Sequence, residues 1–266
     1  MEIDRRAFLS TLGCATAVGA MSSEVLADAL EDHMIRQLDA ASSSEAALGE
    51  QPADRPWRRG VGSLFLVEGS PDGPSLKKLE PMPAKPTLLD FFKLRFAPAN
   101  HVLQSATRAL KTGQGEETVL ACLLHDVVLN LIKPDHGWWG AQLLEPYVPE
   151  RVSWAIRYHQ SLRFYPDPSV GYEYPEMYYR IFGKDYVPPA HVEAAYKYAR
   201  NHRWYMQARL ITVNDLYSFD PKARVSIEPF IDIIGRHFKQ PKEGLGNDGG
   251  PVAHMWRTMA NPDQPL

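Results

Sequence analysis

Apolar helical sequence rarely carries histidine or aspartate, and residues 120–163, LACLLHDVVLNLIKPDHGWWGAQLLEPYVPERVSWAIRYHQSLR, carry both at set places. His125 and Asp126 form a contiguous pair, and His136 opens the next helical stretch. His159 shares a helix side with Val152, Ala155 and Ile156. Asp126 is followed by Val127, Val128, Leu129 and Leu131, so its carboxylate is expected to be buried, which costs several kcal/mol unless a cation neutralises it. Two residues outside the stretch complete the set, His101 before it and Asp215 after it. Four imidazoles and two carboxylates are more than one ion takes from protein. The inventory therefore points to two metals with open positions, and this mixture of nitrogen and oxygen donors suits iron, manganese or zinc. Neighbours on a regular helix diverge by about 100°, so His125 is expected to bind one ion and Asp126 to bridge both.

Elsewhere the periodicity is helical. Leu88, Leu89, Phe91, Phe92 and Leu94 predict a buried helix face that stops near Pro98. His101, Leu103, Ala106 and Leu110 fit a second helix, closed at Gly113 and Gly115, with His101 in its first turn. A central helix is expected over residues 116–131, Asp135 is a good N-cap for a helix beginning at His136, and Pro149 opens another. Residues 191–219 return to helix, with Ala194, Ala195, Tyr198, Tyr205, Ala208, Ile211 and Val213 facing inward, and residues 227–238 form one more. The class is all-α. Twenty-two prolines predict short helices with long connections, and residues 60–69, apolar between glycines, predict one strand or hairpin arm.

The order H…HD…H…H…D resembles the HD-domain superfamily of helical metalloenzymes. With its intervals, it resembles the mixed-valent di-iron oxygenases of that superfamily, the phosphonate-cleaving and myo-inositol oxygenase type. The resemblance implies an HD-domain helical bundle over residues 87–240, flanked by a Pro-rich arm over 30–86 and an irregular tail over 241–266. It implies two iron ions, with manganese, zinc or nickel as alternatives. His101, His125 and Asp215 would hold the first, His136 and His159 the second, and Asp126 would bridge them at the catalytic centre. The expected substrates are O2 and a small hydroxylated or anionic molecule. HxxxGAxxL from His136 resembles the family helix in which the small pair, here Gly140 and Ala141, lets helices approach closely. Arg163 lies four residues after His159 on the same face, where phosphonate-cleaving relatives carry a lysine. A guanidinium there could hold an anion bidentately, a catalytic role, or it could be an ordinary surface arginine. The family's variable substrate loops imply that the aromatic and proline-rich residues 165–189 lie near the active-site mouth.

Three positions depart from the phosphonate-cleaving pattern. Leu129 stands where that type has a histidine, and its gating tyrosine and glutamate fall near Phe91 and Leu94. The expected substrate is accordingly not 2-amino-1-hydroxyethylphosphonate, which that type cleaves. Much of the superfamily hydrolyses phosphate esters, so a metal-dependent phosphohydrolase or phosphodiesterase is the alternative. An exported accessory protein that keeps a metal is the third reading.

At the N-terminus, Asp4-Arg5-Arg6-Ala7-Phe8-Leu9-Ser10 and the mildly apolar residues after it resemble a twin-arginine signal, with Ala27-Asp28-Ala29 as the cleavage site. A signal peptide over residues 1–29 implies passage through the twin-arginine export machinery to the periplasm; an amphipathic helix carrying two arginines is the plainer reading. The net charge of −3 gives no reason to expect nucleic acid, and no apolar run is long enough for a membrane anchor. Cys14 lies in this leader and Cys122 in the apolar helix, so no disulfide is expected in the mature chain.

Overall fold

The computed structural model describes residues 79–96, 99–129, 131–132, 135–220 and 222–261. The expected signal, the expected strand over 60–69 and nearly all of the Pro-rich arm lie outside the described residues. The fold is all-α: among the described residues there are ten α-helices and no strand, with one isolated bridge between Asp167 and Tyr172. No described helix is long and apolar enough to cross a membrane. Two compact units are distinguished, and within the described residues the smaller comprises Tyr174–Val187.

The larger unit begins with α1 (Leu88–Leu94). Thr87 and Asp90 form a capping box that satisfies the first orphan amides, and Leu88, Phe91 and Phe92 are buried. Helix α2 (Ala99–Lys111) carries Val102, Leu103, Ala106 and Ala109 inward and ends before Gly113, whose φ of +72° suits glycine. Leu110, one of the residues that marked this helix in the sequence, is 41% exposed. Helix α3 (Glu116–Leu124) is buried at every position from Thr118 to Leu124, the mark of a helix surrounded by others. It stops at Leu124, short of the expected residue 131. Residues 125–129 continue as turns, with Val127 donating to Leu124 O (3.4 Å) and Leu129 to Asp126 O (2.9 Å). The tighter i to i−3 bonds replace helical ones just where the chain must aim two neighbouring polar side chains.

Helices α4 (His136–Leu144) and α5 (Glu150–Leu162) follow, and α4 packs on α5. A Cβ on Gly137 would meet Ile156 O at 2.8 Å, while one on Gly140 would find only ordinary contacts. The close approach therefore belongs to Gly137, one turn before the Gly140-Ala141 pair. The smaller unit holds α6 (Glu176–Phe182), with Tyr174 against Tyr178 and Phe182 against Tyr186. The expectation for 165–189 thus divides: residues 165–173 join the core unit, and 174–187 form their own.

The expected helix over 191–219 is two, α7 (Ala190–Arg200) and α8 (Tyr205–Asp215). Between them Asn201 Nδ2 donates to Lys197 O (2.9 Å) and Trp204 N donates to His202 Nδ1 (3.2 Å), side-chain bonds that compete with helical ones. Tyr205, Ala208 and Ile211 are buried as expected, whereas Ala194 and Tyr198 face solvent. Helices α2, α3, α5 and α8 pack on one another around the centre, with α7 on α5 and α9 (Ile231–His237) on α3. The tail after Pro241 is not irregular throughout, because α10 (Ala253–Ala260) buries Trp256, Met259 and Ala260. Gly246 at φ +90° brings the chain close to Arg257, and Arg95 donates twice to Ala260 O.

Candidate metal centre

Each of the four central helices delivers a ligand-type residue from one end. His101 comes from the first turn of α2, His125 and Asp126 from the turns that close α3, His159 from the last turn of α5 and Asp215 from the last residue of α8. His136, at the first position of α4, completes the set. All are buried except His101, whose side chain is 13% exposed.

Their atoms converge. His136 Nε2 lies 3.0 Å and His159 Nε2 3.5 Å from Asp126 Oδ1, and the two imidazole nitrogens are 3.3 Å apart. On the other side His101 Nε2 is 2.9 Å from Asp215 Oδ1 and 3.5 Å from Asp126 Oδ2, while His125 Nε2 is 3.6 Å from Asp215 Oδ1. The residues fall into two groups able to hold an ion, His101 with His125, Asp126 and Asp215, and Asp126 with His136 and His159. Asp126 belongs to both. The turns at the end of α3 allow this, because His125 Nε2 and Asp126 Oδ1 come within 3.5 Å rather than diverging as on a regular helix.

The outer nitrogens fix the tautomers. Nδ1 of His101 donates to Ser218 O (3.0 Å), that of His125 to Cys122 O (2.8 Å) and that of His159 to Ile156 O (2.6 Å). A carbonyl can only accept, so each Nδ1 carries its proton and Nε2 is the ring atom that faces the centre, offering a lone pair whenever the ring is neutral. Lone pairs then face carboxylate oxygens. Nε2 of His101 and His125, Oδ1 of Asp126 and Oδ1 of Asp215 are all buried without a hydrogen-bond partner. Acceptors set against acceptors in a buried site are satisfied by a cation, and backbone-anchored imidazoles are the usual outer support of metal-bound histidine. The donor set fits two borderline metal ions.

The electrostatics agree. Burial alone would raise the carboxyls of Asp126 and Asp215, yet both are held well below the usual range, Asp126 by His125, His136 and His101, and Asp215 by Arg163, His101 and His125. Burial works against a charge on His101 too, but the carboxylates of Asp126 and Asp215 beside its Nε2 push it up to about 10, so without a bound cation a proton on Nε2 takes the cation's place. His159, dominated by burial, falls to about 4. In protein alone, His101 supplies positive charge that a metal would otherwise bring.

Arg163 lies near the centre, but its Nη2 donates to Asp215 Oδ2 (3.1 Å), a carboxylate of the candidate site. Asp135, expected to cap α4, makes no side-chain cap bond; it has φ +53°, the one positive φ outside glycine among the described residues. Phe91 is packed on Trp256 in the core, and Leu94 is on the same helix. Sequence reasoning missed Phe219, whose ring stacks on His101 at 4.5 Å, and a buried group around Arg209 and Asp167. The signals were an arginine inside an apolar-faced helix and an Asp-Pro-Ser turn. A cleft of about 500 Å³ lies elsewhere, among α4, α5 and α7, lined by Trp138, Trp139, Tyr158 and Phe164 and by none of the six ligand-type residues.

No protein-family model matches the chain. Among curated proteins, it is similar to the [1-hydroxy-2-(trimethylamino)ethyl]phosphonate dioxygenase (glycine-betaine-forming) of Leisingera caerulea, with 33% identity over 78 residues. That similarity covers 25% of this chain and 40% of the relative's length. A dioxygenase relative and a buried His/Asp cluster able to hold metal together fit a metalloenzyme.

Proposed function

We propose that the protein is a dinuclear metal oxygenase of the HD type that uses two iron ions and O2 to oxidise a small hydroxylated or anionic substrate. The observation that carries this reading is the sharing of Asp126 by two unequal ligand groups. His101, His125 and Asp215 would hold one iron, His136 and His159 the other, with Asp126 between them. Iron in such a site supplies O2 activation and a Lewis-acidic position for a substrate oxygen. The second group offers only three protein ligands, which leaves it the more room for substrate.

The chain's own residues do the rest. Backbone carbonyls at Cys122, Ile156 and Ser218 hold three imidazoles in the metal-binding tautomer, and the surrounding apolar helices exclude water. Arg163 beside Asp215 gives the region a fixed positive charge, suited to an anionic substrate group. The relative's name gives it a hydroxylated phosphonate as substrate, which supports that class. Export through the twin-arginine pathway to the periplasm belongs to the same reading, and rests on Arg5 and Arg6 in the N-terminal sequence.

Low-temperature EPR on protein purified with its native metal and partially reduced tests the proposal. The expected result is a coupled Fe(II)Fe(III) signal with substrate-dependent O2 uptake. Protein filled with zinc, nickel or manganese that turns over a phosphate ester without consuming O2 would overturn it in favour of a phosphohydrolase.

A further inference from the structure

Arg209 is fully buried, six residues before Asp215 on α8, and touches none of the ligand-type residues through any bond described for it. Its guanidinium spreads over the end of α5. Nη1 donates to Leu162 O (3.0 Å), Nη2 to Tyr165 O (2.9 Å) and Nε to the Tyr205 hydroxyl (3.0 Å). The two carbonyls bracket Arg163. The carbonyl of Arg163 itself accepts from the Tyr172 hydroxyl (2.9 Å), and the Arg209 guanidinium lies 4.8 Å from the centre of the Tyr172 ring. Behind this stands Asp167, also buried, 3.8 Å from Arg209 Nε. Asp167 accepts from the Tyr205 hydroxyl and from Ser169 N and Oγ.

A buried ion pair is a poor way to gain stability, because desolvation offsets most of the attraction. Its return here is geometric. The backbone around Arg163 is held at residues 162, 163 and 165, and from that fixed base the Arg163 side chain reaches back to Asp215 Oδ2. Helix α8 thus grips the Arg163 segment through Arg209, and the segment grips the terminal ligand of α8 through Arg163. A planar fork does this where a lysine could not, since one ammonium cannot reach two carbonyls three residues apart and a hydroxyl in one plane.

We infer that Arg209 is a positioning residue for the metal group containing Asp215, acting through Arg163. The inference rests on the two-metal reading of the site. Its effect is on where Asp215 Oδ1 points, so it should fall on the first ion and spare the ion held by His136 and His159, whose imidazole is fixed within α5 by Ile156 O.

The test is a Co(II) titration of the full chain, freed of metal with a chelator and followed by visible absorption. His136→Ala identifies which step belongs to which group. Arg209→Gln and Arg209→Lys should each weaken the step that survives His136→Ala by about 10–100-fold, the usual effect of removing outer support from a ligand. The other step should change by less than ~3-fold. In an Arg163→Ala background, Arg209→Gln should add almost nothing, because residues acting in series are not additive. Equal weakening of both steps, no weakening of either, or additive effects of the two arginine variants would overturn the inference. If Arg209→Gln does not fold, Tyr172→Phe, which removes one hydroxyl, carries the same comparison with a smaller shift. Wild-type protein that takes up fewer than two Co(II) ions defeats the two-metal reading itself, and this inference with it.

Discussion

Gly137 faces the carbonyl oxygen of Ile156 so closely that a Cβ on the glycine would stand 2.8 Å from it. That carbonyl also accepts the Nδ1 proton of His159 at 2.6 Å, and the same Cβ would lie 3.2 Å from His159 Cε1. The space a side chain would need is therefore occupied by the support of a ligand-type imidazole. Backbone cannot swing aside as a flexible side chain would. Gly137→Ala should cost about 1–3 kcal/mol of stability and also displace His159. Metal analysis should show loss from the His136 and His159 group first. A variant that keeps both its urea midpoint and its metal content would contradict this account of the α4–α5 contact.

The shared carboxylate makes the two groups separable in a particular way. His136→Ala removes one of three protein ligands from the second group and none from the first. His101→Ala does the reverse. Each should leave protein with one tightly held ion, whereas Asp126→Asn, which removes charge from both groups, should leave neither ion tightly bound. Elemental analysis of the three variants after dialysis reads the difference. One ion retained by Asp126→Asn and none by His136→Ala would mean that Asp126 does not bridge.

The convergence of the six ligand-type residues was legible in two ways: His125, Asp126 and His159 stand out in apolar helical sequence, whereas His101 and Asp215 were picked out by the family-like order and intervals. What joins them was less so. The end of α3 could not be read from residues 120–131, since Val127, Val128, Leu129 and Leu131 continue the apolar pattern while the backbone changes to i to i−3 bonds. The break at residues 201–204 is made by local bonds from Asn201 and His202 that helical periodicity does not see. Arg209 looked like any helical arginine until Leu162 and Tyr165, more than forty residues away, were placed beside it. Tyr198 and Leu110 had apolar character yet stay exposed, Tyr198 even though its ring packs against Tyr158 and His202.

Helix α10 was hidden for a different reason, the Gly/Pro-rich residues 241–251 that precede it. Its anchor is Trp256, fully buried, with ring centroids 4.8 Å from Phe91 and 6.0 Å from Tyr147. Trp256→Ala should cost about 3–5 kcal/mol, the range for deleting a large core aromatic. Because the indole Nε1 has no hydrogen-bond partner, Trp256→Phe should keep most of that stability. Equilibrium urea unfolding distinguishes the two. If both variants are wild-type in midpoint, the C-terminal helix is not part of the cooperative core.

At the opposite end of α3 from His125, a carboxylate couples stability to pH. Glu116, the first residue of α3, accepts from Arg236 Nη2 (2.6 Å) and Nε (3.0 Å) and pairs with His237 Nε2 (2.8 Å), tying the start of α3 to the end of α9. The hydrogen bonds from Arg236 and then His237 pull its carboxyl from 4.5 down to about 2. A folded pKa below the unfolded one means that the unfolded chain takes up the proton first, so acid favours unfolding. The contribution is complete above the ordinary value of 4.5 and is lost as the pH falls towards 2. The group is exposed, so the effect is small and screened by salt. Thermal melts of wild type and Glu116→Gln should differ at neutral pH and converge as the pH falls through this window, and 1 M salt at neutral pH should also narrow the gap. A gap that stays constant from neutral to acid pH would show that the glutamate stabilises α3 through something other than its charge.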